Sequence, residues 1–132
     1  TKKIIINHDL DDCFIQMDKT KTQKLVNNLI SNAIKYSHNN STVNVFIKNN
    51  VLSVEDFGIG ISELEQKEIF KRYKRGTNIE GGFGIGLDIV KRISEEYKLK
   101  LALKSELEVG SVFYVDFSSI IKTSNTNTEK KV

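Results

Sequence analysis

Between residues 18 and 35 the hydrophobic pattern changes period. Apolar residues fall at Leu25, Val26, Leu29, Ile30, Ala33 and Ile34, two adjacent rows spaced four apart. Only a helix gathers that spacing onto one face, so this stretch predicts an amphipathic helix buried along one side. Asp18 or Thr20 is its expected cap, and Thr20 with Gln23 matches a capping box. The flanking segments have strand character. Residues 2–6 and 13–17 read as two short strands, with Asn7-His8-Asp9 and Asp11-Asp12 as the turn of a hairpin. Residues 43–48 and 51–57 read as strands joined by Asn49-Asn50, a pair that tolerates positive φ and suits a two-residue turn. Ser62 and Glu65 form a capping box that opens a short helix through about residue 73.

Residues 74–83 lack an apolar period and read as a loop. Residues 86–97 are helical, with Leu87, Ile89, Val90 and Ile93 inward; residues 99–104 and 111–117 alternate as strands, with Gly110 marking the turn. The order is ββαββα, loop, αββ. It predicts an α+β domain: a mostly antiparallel sheet with helices on one face. The folded domain is expected over residues 1–118, with 119–132 as a mobile polar tail.

Composition excludes several classes. A chain of 132 residues fits one domain. One cysteine cannot form a disulfide scaffold, and Cys13 reads as a small strand residue. No apolar run approaches the roughly 18–20 residues that span a bilayer. Net charge is +3, from 20 basic and 17 acidic residues, a mixed surface with no clustered basic footprint for nucleic acid.

Three segments carry chemistry. In 28–36, Asn28, Asn32 and Lys35 share one helical stripe, expected opposite the apolar one. Asn is a poor helix former, so two of them in mid-helix have a job beyond solvation. An amide oxygen is a hard neutral ligand suited to Mg²⁺, and a lysine one turn on can neutralise phosphate. Asp56-Phe57-Gly58-Ile59-Gly60 ends a strand; Asp56 can accept from an exocyclic amine, although an Asx turn explains the same residues. Gly81, Gly82, Gly84 and Gly86 are four glycines in six positions running into a helix, where free amides and the dipole attract phosphate. The pattern is neither a Walker A loop nor a dinucleotide fingerprint.

Together these segments resemble the catalytic domain of bacterial sensor histidine kinases, within the ATPase superfamily that includes DNA gyrase, MutL and heat-shock chaperones. Residues 28–36 look like the family's N box, 56–60 its first glycine box, Phe70 its F box and 82–87 its second glycine box. The resemblance implies a two-layer α/β sandwich of Bergerat type, with ATP and Mg²⁺ as cofactors. It implies that Asn32 holds the metal and that Asn28 and Lys35 contact phosphate. Tyr36 would pack near adenine or ribose, Asp56 would receive the adenine amino group, and Gly58, Gly60 and Ile61 would line the base pocket. Residues 73–83 would form a lid, with Lys74 in it and Arg75 near the terminal phosphates. Gly82, Phe83 and the amides of Gly84, Ile85, Gly86 and Leu87 would wrap the triphosphate. Departures are mild: Lys74 stands where an aromatic is common, the lid is short, and the last glycine box is reduced to Gly110-Ser111.

Gyrase-like hydrolases of this superfamily carry a general-base Glu four residues before the metal Asn. Here that position is Asn28, which implies ATP handling without efficient hydrolysis and favours a kinase with a borrowed nucleophile. Neither His8, read in a turn, nor His38 resembles an acceptor histidine. The resemblance therefore implies a phosphoacceptor and dimerisation domain in a longer homodimeric parent, and a separate response regulator. It also implies a cytoplasmic placement beneath a membrane-anchored sensor. The isolated domain is expected to be monomeric, without direct membrane or nucleic-acid contact. The alternative is a regulatory module: a serine-kinase anti-sigma factor, or a domain that binds nucleotide without transfer.

Overall fold

A computed structural model of the chain describes residues 2–69 and 83–122. In order, these residues form β1 (Ile4–Leu10), α1 (Lys19–Tyr36), β2 (Ser41–Lys48), β3 (Val51–Asp56), α2 (Glu63–Glu68), α3 (Phe83–Tyr97), β4 (Lys100–Glu106), β5 (Gly110–Asp116) and a 3-10 turn at Ser118–Ile120. The five strands make one sheet in the order β1-β2-β3-β5-β4. The β1–β2 pair is parallel and the other three pairs are antiparallel. This is the expected mixed, mostly antiparallel α+β architecture.

Strand alternation decides where the helices sit. Val43, Val45, Leu52, Val54, Phe113 and Val115 are buried, whereas the intervening residues are partly open. Against that apolar face pack Leu25, Leu29 and Ala33 of α1 and Leu87, Val90 and Ile93 of α3. Leu25 and Leu87 are fully buried. Each such leucine contributes about 1.5–3 kcal/mol, which outweighs the weak helix propensity of the asparagines beside it. The opposite face is polar: the Asn7 amide donates to Asn44 Oδ1 at 3.3 Å, and Asn44 donates to Glu55 Oε1 at 3.0 Å.

The expected N-terminal hairpin does not form. β1 runs straight through Asn7-His8-Asp9 to Leu10 and pairs in parallel with β2, with α1 as the crossover that a parallel pair requires. Asn7, His8 and Asp9 are exposed positions of an edge strand, and Asp11 and Asp12 follow its end. Cys13 belongs to no strand, and of residues 13–17 only Ile15 makes a bridge, to Ile121.

Capping also differs. Asp18 is the cap of α1, its Oδ2 accepting from Lys21 N at 2.9 Å, so Thr20 lies inside the first turn. Ser62 caps α2 as expected, accepting from Glu65 N at 3.2 Å. That helix closes at Glu68, and the remaining positions of the predicted span, 70–73, lie outside the described residues. α3 begins at Phe83, three residues before the predicted start. Asn49 and Asn50 take φ of 52° and 67°, the left-handed pair that a tight hairpin requires. Gly110 opens β5, while residues 107–109 form the turn. The polar stretch after Ser118 starts inside the fold: Gln16 N donates to Ile120 O at 3.0 Å and Lys122 N to Phe14 O at 2.7 Å.

Candidate functional site

α1 carries the first group of predicted residues. Asn32 is only 8% exposed, so it lies at the buried margin of the helix and not opposite its apolar side. The reason is angular: Asn32 precedes Ala33, which packs in the core, and a 100° step leaves both within reach of the interior. The Asn32 amide nitrogen is buried with no hydrogen-bond partner among the described residues. Such an orphan donor costs about 1–3 kcal/mol, a cost that an acceptor atom of a bound ligand, such as a phosphate oxygen, would offset. Asn28 is half-buried and its amide nitrogen donates to Lys24 O at 2.7 Å, which leaves the carbonyl oxygen as the atom on offer. Lys35 is exposed, its ammonium 5.5 Å from the Tyr36 ring centroid. Burial, and secondarily the Glu65 carboxylate, push the Tyr36 phenol above its ordinary range.

The second group meets the C-terminal end of α1. Ile59 N donates to Tyr36 O at 3.3 Å. At Gly58 a β-carbon would lie 1.8 Å from that same carbonyl oxygen, so only glycine permits the approach. Gly60 has φ +74°, and a β-carbon there would lie 2.1 Å from Glu106 O. Asp56 is 5% exposed, and its Oδ1 accepts from Gly58 N at 2.9 Å. Burial raises the Asp56 carboxyl above its ordinary value, and the Gly58 and Ser111 amides pull it part of the way back. The result is a buried acceptor held by backbone donors, as an amine-binding carboxylate needs. Ile61 is buried, with its amide donating to Ser105 Oγ at 2.8 Å.

Ser111 stands opposite Asp56 across β3 and β5. Both border a cavity of about 260 Å³ that Ser105, Lys104 and Glu55 also line. Two residues that sequence reasoning passed over hold this corner. The Ser105 hydroxyl lies 2.7 Å from Ser111 Oγ, and Gln66 Nε2 donates to Ile61 O at 2.7 Å and Ser105 O at 3.2 Å. The available signal was the pair of serines flanking the short link between the last two strands.

The third group is seen through its backbone. α3 packs against α1, so its N-terminal turn belongs to the same layer as the asparagine helix. A helix that starts at Phe83 leaves the amides of its first turn, Gly84 and Ile85 among them, without intrahelical carbonyls. Gly86 is helical as well. Leu87 differs: it is fully buried in the core and a turn inside the helix, where its amide joins the helical ladder. Lys74, Arg75 and Gly82, with Phe70 and most of the expected lid, lie outside the described residues. Among the described residues no cluster of His, Cys, Asp and Glu could hold a metal. A cation here would depend on Asn32 and on oxygens supplied by its ligand, which suits Mg²⁺ and its taste for phosphate.

A mixed sheet packed against α1 and α3, with a buried carboxylate at the end of β3 and a buried amide on α1, makes an α/β sandwich. Residues 17–119 match the family described as histidine kinase-, DNA gyrase B- and HSP90-like ATPase, and the chain belongs to it. It is 32% identical over 123 residues to the sensor histidine kinase YkoH of Bacillus subtilis, covering 89% of this chain and 27% of that protein. It is 32% identical over 126 residues to the heme sensor protein HssS of Staphylococcus saprophyticus, covering 92% of this chain and 27% of that one. The chain thus spans about a quarter of the length of these relatives. Among solved structures, the mycobacterial sensor histidine kinase MprB shares the fold with a TM-score of 0.73 at 23% identity, over 85% of this chain and 79% of that one. The catalytic domain of histidine kinase ThkA does so with a TM-score of 0.70 at 24% identity, over 91% and 81%.

Proposed function

We propose that the chain is the ATP-binding catalytic domain of a sensor histidine kinase, delivering the γ-phosphate of Mg-ATP to a histidine on a dimerisation and phosphoacceptor domain of its parent. One observation carries the reading. The buried orphan amide of Asn32 sits on the helix whose last carbonyl receives the glycine turn of the buried Asp56.

Asp56 accepts from the adenine amino group, Gly58, Gly60 and Ile61 line the base pocket, and Tyr36 packs beside the base or ribose. Asn32 would hold Mg²⁺ through its amide oxygen, and the ion would offset phosphate charge. Asn28 and Lys35 contact the phosphates, joined by Lys74 and Arg75 from the lid. Gly82, Phe83, the amides of Gly84 and Ile85, and Gly86 wrap the triphosphate. Phosphoryl transfer needs chiefly positioning and charge neutralisation, so the domain supplies both and borrows the attacking nitrogen. Asn28 cannot take a proton from water, which suits transfer better than hydrolysis. A separate response regulator then accepts the phosphate. Among the described residues no helix is long and apolar enough to cross a membrane. The likeness to sensor kinases supports a place for this domain on the cytoplasmic side of a membrane-anchored parent.

The test combines the chain with its parent's acceptor domain and γ-labelled Mg-ATP. Acid-labile, base-stable label on a histidine is the expected result. Label on a serine partner, or ATP turnover with no transfer, overturns the kinase reading.

A further inference from the structure

Asp56, Ser111 and Ser105 lie side by side across three neighbouring strands, since Asp56 pairs with Ser111 and Ser111 with Ser105. The Ser105 hydroxyl has three partners: Ile61 N at 2.8 Å, Gly110 O at 3.0 Å and Ser111 Oγ at 2.7 Å. A serine hydroxyl has one proton and two lone pairs. The Ile61 amide can only donate, so it takes one lone pair. The Gly110 carbonyl can only accept, so it takes the proton. The remaining lone pair must then receive the Ser111 proton. The reverse arrangement would set two proton-less oxygens against each other at the 3.0 Å contact. Ser105 is therefore filled to capacity, and Ser111 turns its proton toward β4 and keeps only lone pairs for anything beside Asp56.

We propose that Ser105 is a positioning residue for base selection. By fixing the Ser111 proton it makes Asp56 and Ser111 a pair of acceptors. That pair matches a purine whose exocyclic group is an amine with two donor hydrogens. It repels a 6-oxo purine, whose carbonyl would meet two acceptors. The proposal rests on the reading of Asp56 as the base contact given above.

The experiment measures ATP and GTP affinities for the whole chain and for Ser105→Ala, Ser105→Thr, Ser111→Ala and the double Ala variant. Ser105→Ala frees the Ser111 hydroxyl to rotate and donate, so the ATP-to-GTP preference should fall about tenfold, the scale of one hydrogen bond. Ser105→Thr keeps the hydroxyl and should restore the preference. In the Ser111→Ala background, Ser105→Ala should change the preference no further. Equal weakening of both nucleotides, or the same change in both backgrounds, assigns Ser105 a purely structural role and overturns the proposal. If Ser105→Ala does not fold, Ser111→Ala decides: an unchanged preference overturns the proposal. A wild-type chain with no preference for ATP overturns the underlying Asp56 reading, and the proposal with it. A wild-type preference that survives Ser105→Ala overturns the Ser105 assignment alone.

Discussion

At one end of the sheet, β2 turns into β3 through Asn49 and Asn50; at the other, β3 runs into Asp56 and its glycines. The first end is open. Lys48 reaches Asp9 at 3.1 Å and Asp11 at 3.5 Å, and all three side chains are about half exposed or more. Its turn needs only residues that tolerate positive φ. The second end is closed. Asp56 is buried, and Gly58 and Gly60 meet carbonyls closer than any side chain allows. Both ends are rich in polar residues. Solvent supports them at one end; at the other, backbone donors and neighbouring hydroxyls do. Polar residues near a turn therefore say little until their burial is known.

Substitutions should sharpen this contrast. The largest effect is expected for Gly58→Ala, which drives a β-carbon into the Tyr36 carbonyl; a loss of about 3 kcal/mol or more should appear in chemical denaturation. Asn32→Ala should abolish Mg²⁺-dependent ATP binding while leaving the denaturation midpoint unchanged or raised, because it removes a buried unpaired amide; calorimetry with and without Mg²⁺ checks both. Asp56→Asn should weaken ATP far more than a nucleotide-independent phosphate probe and should narrow the gap between ATP and GTP.

The same carboxylate predicts a pH dependence. Its folded pKa is raised above 3.8, chiefly by burial. Its contribution to stability is therefore full below the ordinary carboxyl range and is lost as pH rises through the raised value. ATP affinity should run the other way, weakening as pH falls through that value, and this acid limb should be absent in Asp56→Asn. The smallest effect belongs to the open end. Asn50→Ala should cost about 1 kcal/mol for its positive φ, with nucleotide affinity unmoved.

Much of the candidate site could be proposed from the sequence because chemistry and spacing coincided. Asn28, Asn32 and Lys35 announced themselves as polar residues at helical spacing, and the glycines of 58–60 and 81–86 as breaks in apolar pattern. The N-terminal hairpin was misread because an exposed edge strand and a turn share a composition. Ser105 and Gln66 were missed because their role is a set of contacts between segments far apart in the chain, such as Ile61 with Ser105.

Local pattern sufficed for the helices, the Asn-Gly vocabulary of the turns, the α+β class and the residue types fit for a triphosphate. Period and backbone preference act over a few residues and need no partner. Which strand β1 joins, that the Asn32 amide nitrogen is buried with no partner among the described residues, and that Ser105 and Ser111 share a hydrogen bond across β4 and β5 all emerged from the packed fold. Burial and proton direction are properties of neighbours that only the closing of the sheet under its helices brings together.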